Sequence, residues 1–197
     1  MKRRRKDKQT QLPTTPQLEE ALAQEERRKR FRNILRSTVF VLATVAAVSV
    51  LIATLLFPVM RIYGSSMKPT LEDGEIVVAV KIKDFSAGDL VAFYYNNKLL
   101  IKRVIGRPGD WINITEDGTV FVNGTPLDEA YVMEKSLGTC DLEMPYQVPA
   151  SQYFVMGDHR STSIDSRSSA LGCVTQEQIV GKILIRVWPL EEFGLID

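Results

Sequence analysis

The chain has a single histidine and two cysteines in 197 residues, and these scarcities exclude a good deal. CxxC and HExxH spacings are absent, so no zinc site of the usual ligand spacing can be assembled, and no metal or cofactor is expected. A Ser–His–Asp triad has only His159 to draw on. Net charge is scarce too, at a formal +1. That balance conceals a division. Residues 1–36 hold twelve Lys/Arg against five Asp/Glu, and the remainder holds thirteen against nineteen. A basic arm suits a nucleic-acid tail, but the segment that follows argues against that partner.

That segment is an unbroken run of 24 uncharged residues, Ser37 to Met60. As a helix it rises about 36 Å, enough to cross a hydrocarbon core of about 30 Å. A cleavable signal peptide has an apolar region of about 7–15 residues behind a short basic lead; here the lead is 36 residues long. The excess of Lys/Arg before the run puts that flank in the cytoplasm by the positive-inside rule. The expected organisation is a cytoplasmic basic arm over 1–36, a single-pass signal anchor over 37–60, and an extracytoplasmic domain over 61–197. Within the arm, residues 9–17 read as a flexible polar stretch. Residues 18–36 read as a charged helix with Glu25 and Glu26 four positions before Lys29 and Arg30.

Beyond Met60 no helical period is sustained. Short β-type segments bounded by turn residues take over, at 75–81, 88–95, 98–106, 110–115, 119–124, 152–158 and 179–188. Asn96-Asn97 and Asp117-Gly118 read as tight hairpin turns. The exported part is therefore mainly β, with about 107–150 as an excursion from the core sheet. Its 125–150 stretch is irregular and carries Pro126, Pro145 and Pro149. Cys140 and Cys173 both lie in this exported part, where a disulfide and two free thiols are equally open.

Two adjacent serines, Ser65 and Ser66, stand just past the apolar run, Ser66 within about 20 Å of its end. Three arrangements could activate one of them. A triad would use His159 with Asp158 or Asp165. The S-x-x-K pattern is met literally by Ser65-Ser66-Met67-Lys68. Pro69, however, disfavours the α conformation at Lys68, and the companion S-D-N and K-T-G motifs are missing. The third uses a distant lysine in "KLLIKRVIGRPGD". On a strand, Lys102 shares one apolar face and Arg103 the other, and periodicity does not say which is buried. Arginine does not release its proton at working pH, whereas a buried lysine does. An unperturbed lysine is neutral in about one molecule in 2,500 at pH 7, and desolvation raises that fraction. Read without enzymology, the same serines would be inert on an anchored β-domain that binds partners at the cell surface.

Taken in order, "GSSMKPTL", "GDLVAF", "KRVIGRPGD" and "GDHRSTSIDSR" behind an N-terminal anchor resemble the sequence boxes of bacterial type I signal peptidases. The resemblance covers about residues 35–188. It implies a mainly β catalytic domain of signal-peptidase-like fold with one N-terminal transmembrane helix. The implied activity is that of a cell-membrane serine endopeptidase that removes signal peptides from exported preproteins. Preproteins are then the expected partners, with membrane lipid and secretion machinery, and nucleic acid is not. By position the resemblance makes Ser66 the nucleophile and Lys102 the general base. It gives Ser163 a hydrogen bond to that lysine, and makes Asp165 and Arg167 a supporting ion pair. The oxyanion hole implied is the Ser66 N–H, with Gly64 where some members carry a serine whose hydroxyl adds a donor. Further departures are His159 for the usual Asn, Ser161-Thr162 for Asp-Asn, and Cys173 where Pro is common.

Overall fold

The computed structural model describes residues 15–196. Part of the expected arm, residues 1–14, lies outside that range. The chain divides into two units, one up to Ile52 and one from Ala53.

The first unit is built on α1 (Thr15–Leu56), one continuous helix of 42 residues. The last three residues of the stretch expected to be flexible, 15–17, already belong to it; Pro16 is tolerated there because the first helical turn needs no backbone donor. Lys29 pairs with Glu25 at 3.6 Å, a surface pair worth little by itself. The most apolar 18-residue stretch of α1 has a mean hydropathy of 2.7. Among the described residues α1 is the one helix long and apolar enough to cross a membrane, and the side chains described along its apolar part are exposed, Phe40 to 72%.

The helix ends before the apolar run does. Pro58 cannot continue it, and Val59 and Met60, expected within the span, instead open β1 (Val59–Arg61). The remaining strands are β2 (Ile76–Val80), β3 (Leu90–Tyr95), β4 (Lys98–Gly106), β5 (Trp111–Ile114), β6 (Val120–Val122), β7 (Thr125–Pro126), β8 (Tyr146–Gln147), β9 (Gln152–Met156), β10 (Val174–Thr175), β11 (Ile179–Trp188) and β12 (Gly194–Leu195). The main sheet is antiparallel, in the order β1-β2-β11-β3-β4-β9-β10, with β12 alongside β11. A second sheet, β7-β6-β5-β8, is inserted between β4 and β9 in the chain. Cys140 and Cys173 are free thiols, and burial pushes the Cys173 thiol up to about 11.

β4 joins the layers. Its first half pairs with β3 alone, from Lys98↔Tyr95 to Ile101↔Ala92. From Arg103 it also pairs with β9, beginning at Arg103↔Met156. Val104 then sits in one apolar cluster with Val91, Phe93 and Val155, while Ile105 sits in another with Ile112, Phe154 and Met156. With cover on both faces, the sequence's question of which cation is buried has an unexpected answer. Both are: Lys102 is 3% exposed and Arg103 2%.

The β3–β4 turn holds Asn96 at φ 46° and Asn97 at φ 61°, the left-handed pair that a two-residue hairpin requires. Asn97→Val should lower the urea-unfolding free energy by about 1–2 kcal/mol, because a β-branched residue is strained there, whereas Asn97→Gly should not.

Candidate active site

The segment after β1 turns tightly. Gly64 adopts φ +93°, a conformation open to glycine and costly for serine, and its N–H donates to Asp73 Oδ1 at 2.7 Å. This conformation gives a local reason for glycine where a serine hydroxyl was to be looked for. Ser65 is exposed and Ser66 half-buried. Met67 and Leu71 anchor the turn in the core, aided by the Leu71 N–H to the Met67 carbonyl at 2.9 Å.

From the sheet, Lys102 Nζ reaches Ser66 Oγ at 2.7 Å. Burial is the main cause that lowers the lysine to about 8. The Asp165 charge opposes the shift, Arg167 adds to it, and Asp158 opposes it. At pH 7 about one molecule in ten then holds a neutral amine, against one in 2,500 for an exposed lysine.

The other arrangements do not assemble. Lys68 is turned to solvent and pairs with Glu72 at 3.7 Å. Nδ1 of His159 lies 3.3 Å from the Ser65 carbonyl oxygen, so the ring addresses the backbone and not the Ser66 hydroxyl. Both carboxylates that could orient it are engaged elsewhere. Asp158 accepts from Arg103 Nε and Nη2 at 3.0 and 2.8 Å and from Thr70 Oγ1 at 2.5 Å. Asp165 accepts from Arg167 Nε and Nη2 at 2.8 and 2.9 Å.

Burial alone would raise the Asp165 carboxyl. The Arg167 hydrogen bonds and charge, with the Gly157 N–H, hold it below the usual carboxylate range. Arg167 also donates to the carbonyls of Leu137 and Arg160 at 2.7 and 2.8 Å, tying the loop after β9 to the excursion. Ser163 is buried in that loop, but its Oγ has no hydrogen-bond partner among the described residues, so the bond to Lys102 implied for it is not made. It is nevertheless close to the site. A Cβ on Gly157 would strike both Ser163 Oγ and, at 2.5 Å, the Ser66 carbonyl oxygen.

Residues that sequence reasoning missed support this arrangement from behind. Arg160 is fully buried and pairs with Glu129 of the excursion while its Nε donates to the Gly157 carbonyl at 3.1 Å. Arg103 lies over the Tyr131 ring, 3.9 Å from its centre. No short spacing signals Glu129, which is 31 positions from Arg160. Among the described residues no cluster of His, Cys, Asp or Glu could hold a metal ion.

In front of Ser66 a groove of about 530 Å3 runs between residues 60–67 and the first half of β4, lined by Met60, Ile62, Gly64, Leu99 and Ile101 among others. The sequence matches the family described as "Signal peptidase, peptidase S26" over residues 34–188. The chain belongs to the S26 family of signal peptidases. It is 39% identical to a signal peptidase IB of Staphylococcus aureus (strain COL), over 67% of this chain and 78% of that protein. It is 32% identical to a signal peptidase I of Bacillus licheniformis, over 88% of this chain and 99% of that one. A crystal structure of a signal peptidase I from Enterococcus faecalis V583 aligns with a TM-score of 0.42 at 31% identity, over 52% of this chain and 98% of that one. As a member of the S26 signal peptidases, the protein is a serine endopeptidase.

Gly157 stands in close contact with both the Ser66 turn and the Ser163 loop. Gly157→Ala should retain the circular dichroism of the wild type but lose at least tenfold in peptide cleavage, because the Ser66 turn and the Ser163 loop must separate to admit a methyl group.

Proposed function

We propose that this signal peptidase is anchored in the cell membrane by α1 and cleaves signal peptides from preproteins with Ser66 as nucleophile and Lys102 as general base. The observation that carries the reading is the 2.7 Å approach of a buried lysine to a serine hydroxyl. Neutral Lys102 takes the Ser66 proton as Oγ attacks the scissile carbonyl. The oxyanion meets the Ser66 N–H. Collapse breaks the C–N bond, and Lys102 gives the proton to the departing amine. The lysine, neutral again, then takes a proton from the water that attacks the ester, and returns it to Ser66. Asp165 and Arg167 brace the loop that faces the lysine, and no metal or cofactor takes part.

The substrate's path is supported by the pairing of β4. Residues 98–101 are bonded to β3 on one side, and β9 covers the other side only from Arg103. That leaves an open strand edge along the groove, suited to an extended peptide added as a further strand. Its alternate side chains would enter the groove together, which suits the reading of small residues at −1 and −3 that the family resemblance implies. For the anchor, the exposed apolar flank of α1 needs lipid as cover. The twelve cations within residues 1–36 set the N-terminus in the cytoplasm and the β domain outside. Membrane lipid and the machinery that delivers preproteins are accordingly its surroundings.

Purified full-length protein with a preprotein should show Ser66→Ala and Lys102→Met inactive and Ser65→Ala active. Activity in the wild type should rise with pH on a limb near 8. Equal cleavage by wild type and Lys102→Met would sink the dyad.

The substitution that removes activity should add stability. The folded state depresses the lysine, so below pH 8 both folded and unfolded chains hold the proton and the full penalty applies. It fades as pH rises from about 8 to the unfolded value of about 10.4. Lys102→Met should therefore stabilise the protein at pH 7 by no more than about 3 kcal/mol, with the gain vanishing near pH 10.5 in urea titrations.

A further inference from the structure

The Ser65 carbonyl and the Ser66 N–H are the two ends of one planar peptide group. The N–H end has no hydrogen-bond partner among the described residues. The carbonyl end is held twice, by the Lys68 N–H at 3.2 Å and by His159 Nδ1 at 3.3 Å. A carbonyl oxygen only accepts, so the imidazole proton is on Nδ1 in this contact. The same residue grips the next peptide as well, its N–H donating to the Ser66 carbonyl at 3.1 Å. Its own carbonyl accepts from the N–H groups of Thr162 and Ser163 at 3.2 and 3.1 Å. His159 is therefore the joint between the Ser65–Ser66 turn and the Ser163 loop.

We propose that His159 is a positioning residue that sets the oxyanion hole, its Nδ1–H fixing and polarising the Ser65–Ser66 peptide so that the Ser66 N–H points at the developing oxyanion. The inference rests on Ser66 being the nucleophile. Two features make it matter here. Gly64 offers no side chain to the hole, and its N–H is committed to Asp73. Of the groups considered for the hole, that leaves the Ser66 N–H, and a donor on the far end of that peptide strengthens the near end by polarisation. Loss of a direct oxyanion donor costs about 10²–10³ in rate; loss of the group that aims one should cost about tenfold. The contact does not make His159 a base, because Asp158 and Asp165 are engaged by arginines and the ring addresses a carbonyl.

The test uses the full-length protein in detergent, with a signal-peptide substrate and with a peptide aldehyde, whose adduct with a serine hydroxyl places an oxygen in the hole. His159→Phe keeps the ring without the donor. His159→Asn carries an N–H donor at the δ position. The phenylalanine variant should lose about tenfold in kcat at unchanged KM and bind the aldehyde about tenfold more weakly. Its acid limb should stay near 8. The asparagine variant should stay within about threefold of wild type in both readouts. Wild-type kcat in His159→Phe, equal losses in both variants, or an effect on KM alone would overturn the proposal. Should the phenylalanine variant not fold, His159→Gln, whose amide is one methylene further out, takes its place, and rates equal to His159→Asn would count the same way. Activity surviving in Ser66→Ala would instead refute the nucleophile, which separates that failure from this one.

Discussion

A lysine amine held out of water beside a serine hydroxyl is the constraint around which the β domain is organised. Lys102 cannot be buried by one sheet face alone, since β4 begins as a half-covered strand with Lys98 and Leu99 exposed. The strand acquires its second cover only where β9 joins it and the two apolar clusters close over Val104 and Ile105. The position of the amine one residue before that junction gives it both properties at once. It is desolvated enough to raise the neutral fraction well above that of an exposed lysine, and it is still at the open end, where a hydroxyl from another segment reaches it.

Three arginines make that burial tolerable for the surroundings. Arg103, Arg160 and Arg167 are each 2% exposed or less, and each is matched by a carboxylate, Asp158, Glu129 and Asp165 respectively. Such pairs add little net stability, because desolvation offsets attraction. Their geometric effect is larger. Arg160 and Arg167 reach from the loop after β9 to the Glu129 side chain and to the Leu137 carbonyl, so the excursion between the sheets holds the loop that faces the site. Breaking one partner of such a pair strands a buried charge, which makes the set intolerant of piecemeal change.

Much of this was legible in the sequence, for identifiable reasons. The seven segments with β-type composition and clear turn boundaries are all strands, because alternation and left-handed Asn and Gly positions are local signals. β1 was hidden because Val59 and Met60 continue an apolar run, and nothing local distinguishes a buried strand residue from a lipid-facing one. β7, β8, β10 and β12, of two residues each, are too short to show a period. At the site, the chemistry of lysine against arginine favoured Lys102, yet burial of both cations was out of reach, since it depends on β9 arriving from fifty residues away. The Glu129–Arg160 pair and the carbonyl partner of His159 are long-range contacts with no spacing to announce them. The hydrogen bond expected between Ser163 and the lysine is not made among the described residues, because position in a motif fixes neighbourhood and not the direction in which a side chain points.

Among the described residues the first half of β4 is paired on one side only, and that free edge limits what can be added to it. A sheet lacking a neighbour recognises, before any side chain, a chain whose own backbone groups are still available. A helix has already spent its N–H and C=O groups internally, and a folded domain has spent its own in ladders and turns. A stretch that is locally unravelled, or another free sheet edge, presents what this edge lacks. An edge of this kind is thereby closed to helices and to sheets whose own edges are covered.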